Sequence, residues 1–73
     1  MEKIEIGIMD IIERMEENEG CIIIIEDAKE KTIEAKLLLY EFDIEDITKI
    51  NYILETGDIE ILLNSRKILV QML

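Results

Sequence analysis

The chain has no histidine, no tryptophan, one cysteine, three scattered glycines and only eight basic residues. Each shortage excludes something. One cysteine cannot form a disulfide framework within a chain, and without histidine no zinc site of the usual kind can be assembled. Nucleophilic catalysis needs an activated Ser, Cys, Thr or Lys beside a positioned base, and Cys21 has no histidine to activate it. At the head of an apolar run, Cys21 reads as a small core residue. The glycines stand apart, so no loop is rich enough in glycine to cradle a phosphate. No apolar run is long enough to cross a bilayer, and the first residues lack the pattern of a secretory leader. The expectation is a cytoplasmic protein without membrane contact.

The shortage of bases is the strongest functional clue. Eighteen acids against eight bases leave a net charge of −10. Direct binding to nucleic acid or an anionic membrane needs a basic surface, so both are excluded. The imbalance is uneven: residues 1–30 carry ten acids and three bases, residues 31–73 eight and five. Asp43, Glu45 and Asp46, or Glu16, Glu17 and Glu19, lack the regular oxygen spacing and central glycine of a calcium loop. Glu26 and Asp27 are adjacent and point to opposite sides of a strand, which makes a poor acid–base pair. No catalytic residue, cofactor or metal ligand is assigned, and the chain does not read as an enzyme.

What is present is isoleucine and charge. Of 73 residues, 49% are hydrophobic and 36% charged, which excludes a disordered chain. Seventeen isoleucines against eight leucines tilt the reading toward strands. The length suits a single domain over residues 1–73, and a core that small gains from oligomerisation. The organising stretch is Cys21–Glu26, with four consecutive isoleucines entered through Gly20 and left through Glu26 and Asp27. A strand with no polar interior needs cover on both faces.

In chain order, residues 2–19 read as a helix, with Ile4, Ile8, Ile11, Ile12 and Met15 on one side. Asp10, Glu13, Glu16 and Glu17 lie opposite. A rival version makes residues 3–6 a short strand and starts the helix near Gly7. Gly20 sits where a left-handed helix cap is expected. After the isoleucine strand, residues 27–31 suit a turn, and Ile33, Ala35, Leu37 and Leu39 alternate with Thr32, Glu34, Lys36, Leu38 and Tyr40 as a second strand. The competing reading is a helix over residues 28–42. Asp43 has the signature of a helix N-cap with Phe42 as a hydrophobic staple, so a second helix carries Ile44, Ile47, Ile50 and Leu54 on its inner face. Glu45, Asp46 and Tyr52 are on its exposed side, and Gly57 ends it. Residues 58–73 read as a hairpin turning at Asn64, Ser65, Arg66 and Lys67.

The halves look alike: residues 1–40 and 41–73 each give helix, glycine, strand, turn and strand, an internal αββ repeat too thin in identity to establish duplication. The expected fold is α+β, a two-layer sandwich of a four-stranded antiparallel sheet with two helices on one face (αββαββ). The other sheet face would be apolar, lined by Leu38, Tyr40, Leu62 and Leu69, and covered by a second copy in a homodimer.

The functional expectation is a small acidic protein-interaction module, an inhibitor or adaptor for a basic, nucleic-acid-binding protein. Its carboxylates would act as a nucleic-acid mimic, in the manner of acidic inhibitors of host defence nucleases. The residues expected to meet such a partner are Asp10, Glu13, Glu16, Glu17, Glu19, Glu45, Asp46 and Tyr52. The alternative is a structural dimerisation or antitoxin-like module that works through the apolar sheet face.

Overall fold

The computed structural model describes residues 2–73. The chain is a small α+β fold built on one six-stranded antiparallel sheet. In chain order come β1 (Lys3–Glu5), α1 (Ile8–Glu17), β2 (Cys21–Glu26) and β3 (Lys29–Glu34). Two 3-10 turns, Ala35–Tyr40 and Ile44–Asp46, lead to β4 (Ile47–Ile53), β5 (Ile59–Leu63) and β6 (Lys67–Met72). The strand order is β1-β4-β5-β6-β2-β3, which puts β5 and β6 at the centre.

The four-stranded, two-helix sandwich is therefore corrected, and with it the αββ repeat. The second half has no α-helix; it is a meander of three strands. The cause is a β-bulge in β4. Ile47 pairs with Leu63 and Ile50 with Ile61, with a register shift between residues 47 and 49. The extra residue, Thr48, bends the strand and donates its hydroxyl to the Leu62 carbonyl at 3.0 Å. Two isoleucines three apart thus point the same way, a spacing that imitates a helix. Asp43 does cap, accepting from the Glu45 amide at 3.1 Å, but only one 3-10 turn follows. Ile, Thr and Tyr, all strand formers, occupy five of the seven positions of β4.

The strand at residues 3–6 is real at Lys3–Glu5, and it pairs with β4 through Ile4 opposite Tyr52. Gly7 starts α1, where its amide donates to Asp10 Oδ2 at 3.1 Å. Gly20 does not cap the helix. Asn18 does, and Gly20 donates to the Asn18 side chain at 3.1 Å. The hairpin from β2 turns at Asp27 and Ala28, both left-handed with φ of 50° and 60°. That turn leads directly into β3, which ends at Glu34. Ala35 to Tyr40 is then a 3-10 turn with Ala35 and Leu38 both 0% exposed, as a period of three residues per turn requires.

The core lies between the inner face of the sheet and these two covers. Ile22, Ile24, Ile59, Ile61, Ile68 and Val70 face Ile11 and Met15 of α1, with Leu38 and Phe42 beside them. Leu38 is therefore a core residue, not part of an open sheet face. Tyr40, on the same 3-10 turn, is 84% exposed and also off the sheet. Cys21, expected inside, is exposed at the start of β2.

Candidate functional site: an acid-rimmed groove beside the helix

α1 lies over the sheet with Ile11 and Met15 buried and its two flanks facing different surroundings. On one flank, the Arg14 guanidinium stacks over the Tyr52 ring, 4.3 Å from its centroid. Tyr52 comes from β4, where it pairs with Ile59 on the inner face. It is not on an acidic helix beside Glu45 as expected, and it holds a cation already. The Arg14 Nε is buried without a hydrogen-bond partner, consistent with a guanidinium held by stacking.

The other flank faces the turn Ala35–Tyr40 and leaves a groove of about 760 Å³ between them. Ile12, Met15 and Leu39 form its apolar floor; Glu16, Glu19, Glu34 and Lys36 stand around it. Met15 is buried and Ile12 and Leu39 half-buried, whereas the four charged residues are exposed. Lys36 Nζ lies 3.3 Å from Glu34 Oε2, so the basic member is already paired. Glu13, Glu16, Glu17 and Glu19 have no ion-pair partner among the described residues. The rim therefore carries net negative charge over an apolar floor, inside the size range of ligand pockets.

The expected contact residues divide among three places. Glu16 and Glu19 are on the groove, whereas Glu17, at the end of α1, lies on the opposite flank with Arg14 and Tyr52. Glu13 precedes Glu17 by one helical turn on the exposed side, and Asp10 is engaged in starting the helix. Glu45 and Asp46 belong to the turn Ile44–Asp46, which borders the opposite end of α1 through a cavity shared by Gly7, Ile8, Ile44 and Ile47. Asp46 is tied down there, its side chain and carbonyl accepting from Asn64 at 3.3 and 3.0 Å. One acidic helix and one acidic turn thus replace the two expected acidic helices. The groove residues missed in the sequence are Glu34, Lys36 and Leu39, because residues 35–39 read as strand.

The one buried carboxylate lies elsewhere. Glu60, 7% exposed on the outer face of β5, accepts from Lys3 Nζ at 3.1 Å and from Asn51 Nδ2 at 3.1 Å, with Lys67 Nζ at 3.8 Å. Burial raises its pKa, but the hydrogen bonds from Asn51 and Lys3 and the charges of Lys3 and Lys67 outweigh that and hold it below the ordinary glutamate range. A carboxylate so fully partnered is structural. Among the described residues, no group of acids or cysteine is arranged to hold a metal ion. Among these residues no helix is long and apolar enough to cross a membrane. The chain matches no protein-family model, no curated protein and no solved structure.

Proposed function

We propose that this chain is a small acidic interaction module that captures a basic segment of another protein, as an inhibitor or adaptor. The observation that carries the reading is the groove beside α1. Its apolar floor suits an aliphatic or aromatic side chain, and its carboxylates suit lysines or arginines flanking that side chain. A partner that itself binds nucleic acid would offer such a segment, and Glu13, exposed on the outer side of the helix three residues before Glu16, adds a further carboxylate beyond the groove. In that narrower form the protein is a nucleic-acid mimic built on one helix.

The test is titration of the 15N-labelled protein with a synthetic peptide of alternating leucine and arginine, against a peptide with glutamate in place of arginine. Shifts should concentrate on Ile12, Glu16, Glu19 and Leu39, and affinity should fall as salt rises. Glu16→Lys with Glu19→Lys should reduce affinity by roughly tenfold or more while the fold is kept, since both side chains are solvated. Equal binding of the two peptides, or binding indifferent to the double variant, would exclude capture in the groove.

A further inference from the structure

We infer that a second copy of this chain covers the outer face of the sheet, leaving both grooves open on the far sides of the dimer. The register defines that face. Leu62, Leu69 and Ile25 fall on neighbouring strands β5, β6 and β2, with Ile23 one step along, so four half-buried aliphatic side chains form a strip over the centre of the sheet. Among the described residues, the two covering segments, α1 and the turn Ala35–Tyr40, both contribute to the core on the inner face. Such a strip, bordered by polar residues, has the anatomy of an interface core and rim.

Charge decides the occupant. The strand positions of the outer face away from the groove carry three lysines, Lys3, Lys49 and Lys67, and three glutamates, Glu5, Glu30 and Glu60. That is a net of 0. The remaining five bases and fifteen acids, Glu34 on the groove rim among them, give the rest of the chain a net of −10. A basic partner is drawn to the rest of the surface and finds little attraction here. Another copy, itself at −10, is repelled everywhere except at this nearly neutral face. The central acid, Glu60, is already neutralised by Lys3 and Lys67 and adds no repulsion across the interface. An interface of standard size takes about 800 Å² from each partner, a sixth of the protomer's 4845 Å².

The inference is independent of the groove, and its salt dependence has the opposite sign. Between about 0.01 M and 1 M salt the Debye length falls from about 30 Å to about 3 Å, so screening removes the repulsion between two acidic copies and tightens the dimer. Sedimentation equilibrium at several salt concentrations reads this directly. Leu69→Asp should weaken the dimer by roughly tenfold or more, and Leu62→Lys should do the same with the opposite charge. Circular dichroism separates dissociation from unfolding. Because Cys21 is the only cysteine and is exposed on this face, a spin label there, on protein mixed with 15N-labelled protein, should broaden the amides of Ile23, Ile25, Leu62 and Leu69. A monomer up to on the order of 1 mM in high salt would overturn the inference. So would a dimer unchanged by both variants, or broadening centred on α1.

Discussion

On the inner face of the sheet, β2, β5 and β6 present Ile22, Ile24, Ile59, Ile61, Ile68 and Val70, none more than 5% exposed. On the outer face the same three strands present Ile23, Ile25, Leu62 and Leu69, all half-buried. The aliphatic side chains are nearly the same, but the outer face interleaves them with Glu60, Lys67 and Gln71. Cover differs too. The inner face is closed by Ile11, Met15, Leu38 and Phe42 from a ten-residue helix and a 3-10 segment. The outer face has only its own charged border. The difference teaches that so small a chain closes one face of its sheet from within; the proposed dimer would close the other from outside.

Truncation breaks this comparison most sharply. Leu38→Ala should cost about 2–5 kcal/mol, because it opens a cavity in a fully enclosed site. Leu69→Ala should cost well under half of that in the isolated protomer, and its larger effect should be on self-association. Denaturant melts at low protein concentration measure the first quantity, and the concentration dependence of the melt measures the second. Similar losses for both, without concentration dependence, would mean that the outer face is ordinary surface.

Glu60 sharpens the same contrast, as the polar anchor of the outer face. Its carboxyl titrates below the ordinary value in the fold, so the unfolded chain takes up a proton first on acidification. The stabilisation is fully present above the unfolded value of about 4.3 and is lost as pH falls through the folded value. Glu60→Gln should therefore lower stability by on the order of 1 kcal/mol at neutral pH, and the gap from the parent protein should close below about pH 4. Urea midpoints measured at pH 7 and pH 3 check the sign. A gap that widened in acid would contradict the assigned partners.

The smallest expected effect is at the hairpin between β2 and β3. Ala28 is left-handed there, which is costly for a residue with a Cβ and free for glycine. Ala28→Gly should stabilise by roughly 0.5–1 kcal/mol, and a rise in melting temperature would show it.

Much of this fold was legible in the residues, and the failures have physical causes. The isoleucine run and the hairpin of residues 59–72 carry period-two or uniformly apolar patterns bounded by turn residues, and both are strands. α1 is announced by Ile8, Ile11, Ile12 and Met15. The β4 strand was hidden because its bulge gives Ile47 and Ile50 a helical spacing, and because the Asp43 cap is a true local signal that stops after one turn. The Asp27–Ala28 turn was hidden because alanine rarely takes that conformation. For the groove, the exposure of Glu16 followed from the helix period, while Glu19 lies past the end of α1. Glu34, Lys36 and Leu39 did not follow, since a chain leaving a strand for a 3-10 turn changes period from two to three within a few residues. The outer strip was half legible: Leu62 and Leu69 belong to it, whereas Leu38 and Tyr40 were drawn away with the 3-10 turn.

The central claim is that the two surfaces do different work, one acidic and turned to a basic partner, the other nearly neutral and turned to a second copy. Sedimentation of the protein alone and with the leucine–arginine peptide, in low and high salt, tests both at once. The account expects the dimer to tighten and the peptide complex to weaken as salt rises. Two dependences of the same sign would contradict it.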